Sequence, residues 1–277
     1  MPASDAQALP LHHAVLLGLL HGPAELLPVS SSGHVTLVPW LAGWPYPELD
    51  AELRKAFEIA LHAGTAAALL IALRGEVGDA ARGFDRRRAL LVALSFGPPA
   101  VIGLRFERTI EQRFGTPRSI AAGLILGSIA MLAADRLGPM RRDRSDAGAL
   151  DGLLLGLAQA SALIPGTSRN GMTLAVARAR GFRRTDANEL SRHVALPVIV
   201  GATVLKGRRL ARRGLPAGLG MRFTAGAVAA FASTLGSTWL IRQVERNRSL
   251  APYAAYRLAL ATVVLARRPA AAGNSAT

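Results

Sequence analysis

Glu25, Ser30, Ser31, Ser32 and His34 lie close together in one stretch of the chain, and Ser168, Arg169, Asn170 and Thr173 lie close together in another. The first group supplies a carboxylate that can act as a base, hydroxyls that can attack, and an imidazole that can carry a proton. The second supplies a guanidinium, whose planar fork donates two hydrogen bonds to adjacent phosphate oxygens and stays charged when buried. Together these residue types fit displacement at phosphorus, with Glu25 activating the nucleophile, Arg169 stabilising charge on the equatorial oxygens and His34 managing protons. Ser31, His34 and a water molecule all remain open as the attacking group. Taken singly, each part has a plainer reading, since serines cap helices and a lone arginine can simply pair with Glu25.

The segments that must position these groups are apolar and short. Val15-Leu16-Leu17-Gly18-Leu19-Leu20 and Val35-Thr36-Leu37-Val38-Pro39-Trp40-Leu41 flank the first cluster, and neither can cross a bilayer alone. Pro28 is expected to end the first helical piece, and Ser31 or Ser32 to cap the second, leaving backbone N–H groups free at a helix N-terminus where a phosphate can bind. The pattern returns later in the chain. Gly18, His21, Ala24 and Gly33 match Gly156, Gln159, Ala162 and Gly171 at one offset, while Pro28 and Ser31 match Pro165 and Ser168 after a one-residue slip. If the two broken hairpins meet, their polar clusters face each other.

The composition places this pair in a membrane. The chain has 277 residues, 51% hydrophobic and 18% charged, with a mean hydropathy of +0.29, more apolar than an ordinary soluble protein. Apolar runs near 57–73, 89–104, 119–134, 193–205, 223–241 and 254–266 are separated by arginine-rich loops. The fold class expected is an all-α polytopic bundle in a single domain over 1–277, with a first repeat over 11–136 and a second over 149–268. Each repeat would hold one re-entrant hairpin and three transmembrane helices, and an odd number of spans inverts the second repeat relative to the first. Lys and Arg divide almost evenly between the two sides, so charge does not fix the orientation.

The net charge of +15 sits in clusters such as Arg86-Arg87-Arg88 between apolar runs, which fits anionic lipid headgroups and not nucleic acid. There is no cysteine, which excludes disulfides and thiolate metal sites, and Met1–Pro10 lacks the basic start of a cleaved leader. Glu58 and His62, at i and i+4, could hold a metal or relay a proton; packing of the bundle is the preferred reading. Gly97-Pro98-Pro99 is expected to break or kink a helix whose freed carbonyls neighbouring helices must satisfy. Gly123 and Gly127 form a small-residue face for close helix packing.

Glu25-Leu26-Leu27-Pro28-Val29-Ser30-Ser31-Ser32-Gly33-His34 and Pro165-Gly166-Thr167-Ser168-Arg169-Asn170-Gly171-Met172-Thr173 resemble the two signature segments of the bacitracin-resistance-type undecaprenyl-diphosphate phosphatases. The likeness extends to Phe57–Thr65 and Ala195–Ala202. The resemblance implies an integral hydrolase of the bacterial inner membrane that removes the terminal phosphate of undecaprenyl diphosphate, recycling the carrier for cell-wall synthesis. It implies inverted repeats, a site opening to the extracytoplasmic side, and dependence on a divalent cation, Mg²⁺ or Ca²⁺, with Glu25 as the protein ligand. Carried over by position, Glu25, Ser31, His34 and Arg169 are the catalytic residues, and Ser168 and Thr173 join His21, Ser30, Ser32 and Asn170 in binding substrate. The partners expected are the polyprenyl diphosphate and the bilayer, with a homodimer left open.

Two positions depart from the family pattern. His21 stands where a Glu or Gln is usual, one turn before Glu25, and Asn170 where a Ser is usual. An imidazole at 21 can accept a proton but is a poorer ligand for a hard cation. The acid phosphatases that also combine Ser-Gly-His and Ser-Arg elements fit less well, because Ala175 stands where that class needs a histidine. A polyprenyl-phosphate transporter or flippase shares the architecture of inverted repeats with broken helices, and phosphate release by the purified protein separates it from a hydrolase.

Overall fold

The computed structural model describes residues 5–83, 85–136, 140–215, 218–246 and 249–267. Met1–Ser4, part of the stretch read as lacking a leader, and residue 268, the expected end of the second repeat, lie outside them. A short helix α1 (Asp5–Ala8) precedes the first hairpin, α2 (Leu11–Leu26) and α3 (Ser31–Ala42). Then follow α4 (Ala51–Ala72), α5 (Arg74–Arg82), α6 (Arg86–Phe114) and α7 (Pro117–Arg136). The second hairpin is α8 (Ala149–Ser161) and α9 (Arg169–Ala179), followed by α10 (Arg184–Arg213), α11 (Leu219–Gly236), α12 (Trp239–Arg246) and α13 (Ala251–Ala266). The chain is all-helical, and among the described residues β pairing is confined to a bridge between Arg142 and Phe182.

Three helices, α4, α6 and α7, have the length and apolarity of a membrane span, and α11 with α12, bent by 52° at their junction, forms a fourth if counted together. The remaining expected spans fall on α10, whose ends are charged, and on α13, which is 16 residues long. Leu104, Leu126, Ile129, Val228 and Val263 are exposed on these helices, giving the bundle an apolar outer surface suited to lipid. The basic stretch after α4, expected as a loop, contains the amphipathic helix α5.

Each hairpin packs mainly on the second span of the other half: α2 on α11, and α8 on α6. Small residues make this approach possible. A Cβ at Gly18 would run into the Gly226 carbonyl and Ala229, and one at Gly156 into Leu94 O and the Pro98 ring.

At Gly97-Pro98-Pro99 α6 runs through both prolines as one helix and is not broken, while a neighbouring helix does satisfy a freed carbonyl as expected. Pro99 has no N–H to offer the carbonyl of Ser95, four residues back, and Gln159 Nε2 from α8 donates to that oxygen at 3.0 Å. The interhelical amide replaces the lost bond, so the helix continues. The small-residue face at Gly123 and Gly127 does pack closely, against the Pro165–Thr167 backbone and, at Gly127, also against the guanidinium of Arg257.

Candidate active site

The two hairpin breaks share one backbone device. Ser30 and Ser168 have φ of 76° and 70°, a left-handed conformation rare for non-glycine residues, and each precedes the first residue of a helix. Ser30 Oγ accepts from Gly33 N at 3.3 Å, and Ser168 Oγ accepts from Gly171 N at 3.2 Å. The cap of α3 is therefore Ser30 and not Ser31 or Ser32, which the run of three serines could not distinguish. This also removes the one-residue slip at the cap, since Ser30 pairs with Ser168 at the same offset that pairs Gly33 with Gly171. With Ser30 used as the cap, Ser31 occupies the first helical position and is free to turn toward α2.

Glu25, on the last turn of α2, is where the breaks meet. Its side chain is 7% exposed; Oε1 pairs with Arg169 Nη2, and Oε2 accepts a hydrogen bond from Ser31 Oγ. Arg169 Nη1 also donates to the Ala195 carbonyl on α10 at 3.3 Å, which fixes the plane of the guanidinium. Asn170 Nδ2 donates to Leu26 O at 3.0 Å, a second bond between the hairpins, while its Oδ1 accepts from Ser191 Oγ at 3.1 Å. Thr173 Oγ1 lies 2.6 Å from Ser191 Oγ and donates back to the Arg169 carbonyl at 2.9 Å, so it braces the first turn of α9. Ser32 Oγ lies 3.5 Å from Ser30 Oγ.

His34 lies one turn into α3. Its Nδ1–H donates to Ser30 O at 2.7 Å, and its Nε2 accepts from the Tyr256 hydroxyl of α13, also at 2.7 Å. Glu25, Arg169, Asn170, Ser191 and Arg192 form the polar part of a cleft whose walls are Leu69, Leu73, Leu196, Ile199 and Ile241. Such a cleft suits a phosphorylated apolar chain: a polar end for the headgroup and aliphatic walls for the tail. Arg192 at its side is held by Glu76 of α5 and Glu245 of α12.

Sequence reasoning set His62 aside as a packing residue and missed Tyr256 and Arg257. His62 Nδ1–H donates to the Glu58 carbonyl at 2.8 Å, whereas Nε2 faces Glu25 Oε2 at 3.7 Å. The Glu58 side chain pairs instead with Lys55 at 3.3 Å, so the i, i+4 pair seen in the sequence is not a pair of side chains. His21 is fully buried, with Nδ1 3.0 Å from Thr65 Oγ1 and Nε2 without a partner among the described residues. The rings of His21 and His62 stand edge to face at 4.5 Å between centroids. Arg257 is fully buried and binds the carbonyls of Pro28, Gly166 and Thr167 at 3.0–3.1 Å, with Ser128 Oγ at 3.1 Å. It ties the first break directly to the second. An arginine within the apolar run 254–266 was a signal present in the sequence.

The donors around Glu25 do not form a cage for Mg²⁺ or Ca²⁺. Those ions take oxygen ligands, six or more for Ca²⁺ and near-octahedral for Mg²⁺. Here Glu25 is flanked by two imidazoles, His21 and His62.

The family model described as bacitracin resistance protein BacA matches residues 14–263. An undecaprenyl-diphosphatase from Pelobacter propionicus is 39% identical over 262 residues, 90% of this chain and 93% of that protein. One from Geobacter sulfurreducens is 40% identical over 268 residues, 92% of this chain and 97% of that protein. One from Moorella thermoacetica is 33% identical over 261 residues, 91% and 96% of the respective chains.

Proposed function

The chain belongs to the bacitracin resistance protein BacA family, and from that membership we infer an integral membrane undecaprenyl-diphosphatase, which removes the terminal phosphate of undecaprenyl diphosphate and returns undecaprenyl phosphate for cell-wall synthesis. The observation that carries the assignment of its site is the double engagement of Glu25, by Ser31 from its own hairpin and by Arg169 from the other. In this reading the cleft admits the lipid with its diphosphate toward Arg169. The terminal phosphate displaces Glu25 from part of the guanidinium fork, and the first N–H groups of α3 and α9, which have no partner within their own helices, take further oxygens.

Ser31 is the nucleophile favoured by this geometry. Its hydroxyl already points its proton at Glu25, whereas the Nε2 lone pair of His34 is occupied by Tyr256. Attack forms the Ser31 Oγ–P bond as the phosphoanhydride bond breaks; the proton passes by way of Glu25 to the departing undecaprenyl phosphate, which leaves with the bond electrons and returns Glu25 to its carboxylate form. Water, deprotonated by Glu25, then releases inorganic phosphate from Ser31. His34, bonded to the half-exposed Tyr256, exchanges protons with the surroundings. Ser30 and Ser168 hold the helix starts that bind substrate, with Ser32 beside the first, Asn170 and Thr173 keep Arg169 in place, and His21 lines the site behind Glu25.

The reading extends to the bacterial inner membrane, a site opening on the extracytoplasmic side, a homodimer and two inverted repeats over 11–136 and 149–268. Reciprocal packing of each hairpin on the other half supports the repeats. Purified protein in detergent is expected to release inorganic phosphate from undecaprenyl diphosphate, with a phosphoryl group trapped on Ser31 on rapid acid quench. Movement of the lipid across vesicles without phosphate release would replace the hydrolase with a carrier. Phosphate release with no labelled Ser31 would pass the attack to water or His34.

A further inference from the structure

We propose that His21, Glu25 and His62 form a site for a divalent transition metal of the Zn²⁺ or Mn²⁺ class. Their ligand atoms all lie within 4.8 Å of one another, and His62 Nε2 is 3.7 Å from Glu25 Oε2. Two imidazole nitrogens and one carboxylate oxygen make a donor set that imidazole-binding first-row metals accept and Mg²⁺ or Ca²⁺ do not.

The second nitrogens make the case stronger. His62 Nδ1 must carry a proton to bond the Glu58 carbonyl, which leaves Nε2 with its lone pair directed at Glu25. His21 Nδ1 bonds Thr65 Oγ1, which is itself 3.2 Å from Thr234 Oγ1, so the ring is held by a buried hydroxyl pair. Its Nε2 is left bare, on a side chain with 0% exposure and with no partner among the described residues. A buried nitrogen without a bond is costly, and a metal ion removes that cost. An oxygen or backbone carbonyl behind each ligating imidazole is the usual outer support of a metal site. Glu25 can serve it through Oε2 while Oε1 stays with Arg169, and a fourth position remains for water or a phosphate oxygen.

The site goes beyond the hydrolase reading, because the donors hold the ion whether or not a phosphate is cleaved. The test is therefore binding to the full chain, purified without a histidine tag, stripped with chelator and titrated with Zn²⁺, Mn²⁺ and Mg²⁺ while heat release and melting temperature are followed. One equivalent of Zn²⁺ or Mn²⁺ is expected to bind and raise the melting temperature, and millimolar Mg²⁺ to leave it in place. His62→Gln, on a side chain 30% exposed and so tolerant of change, is expected to weaken binding more than about 10²-fold, and Thr65→Val, which removes only the support behind His21, about tenfold. His12→Gln is expected to change nothing. Displacement by Mg²⁺, unchanged affinity in His62→Gln, or loss of binding in His12→Gln would each overturn the proposal. Activity enters none of these readouts, so a failure of the phosphatase assignment leaves the result intact.

Discussion

The break after α2 and the break after α8 have the same backbone and different chemistry. Both place a serine at positive φ, both use its hydroxyl to receive the N–H of a glycine three residues on, and both start a helix there. At the next position the first hairpin has Ser31 and the second Arg169; three residues further the first has His34 and the second Met172. The carboxylate that meets them comes from the first hairpin alone. The same turn thus starts two helices, and in the function proposed above the two hairpins divide nucleophile and base from cation. The same division shows at His21 and Gln159, which match at one offset: Gln159 donates to the Ser95 carbonyl, whereas His21 lies beside Glu25 with Nε2 unbonded among the described residues.

The largest break in this comparison is expected at Glu25, which has no partner of its kind in the second hairpin. Glu25→Gln is nearly isosteric and should lower turnover about 10³-fold in a phosphate-release assay. Near-wild-type turnover would reduce Glu25 to a structural partner of Arg169. Arg169→Lys keeps the charge and loses the fork, and turnover should fall on the order of 10²-fold with the protein still folded by thermal melting. Activity close to normal would show that the second hairpin contributes only its helix N-terminus.

Arg257 sharpens the comparison from the other side, because it treats the breaks alike. Arg257→Met should leave the carbonyls of Pro28, Gly166 and Thr167 without their donor and cost about 3 kcal/mol in unfolding experiments. An unchanged melting curve would mean that each break is held by its own hairpin. The smallest effects belong to the caps. Ser30→Ala and Ser168→Ala should each cost about 1 kcal/mol, and the corresponding glycine variants less, since glycine accepts the positive φ. A marked inequality between the two positions would show that the shared backbone is not equally needed.

The sequence made the helical class, the two hairpins and the polar groups that join them legible, because ionisable residues in apolar runs and a repeated Gly-Pro-Ser pattern are local signals. What it hid was long-range or depended on register. Three consecutive serines carry no mark of which one caps. His62 looked like a partner for Glu58 four residues away, but the side chain it faces is 37 residues back, on α2. Pro98-Pro99 read as a kink whose freed carbonyls need a neighbouring helix, but nothing local said that the amide meeting one of them sits on Gln159, 60 residues later. Arg257 was visible as a charge in an apolar run, and nothing local said that its partners include three backbone oxygens from two distant turns.

The dependence of Pro28 on Arg257 also sets an order of events during synthesis. More than 200 residues separate the first break from its clamp, a delay of roughly 10–45 s at about 5–20 residues per second. For most of that interval the first hairpin lacks α11, on which it packs, and throughout it lacks the guanidinium that holds its turn. Arg169 reaches Glu25 earlier, but the last tie between the breaks comes only with α13. The two breaks are therefore tied only once α13 has been made, and a chain stopped before α13 would carry Glu25, Ser31, His34 and Arg169 without the brace that joins their turns.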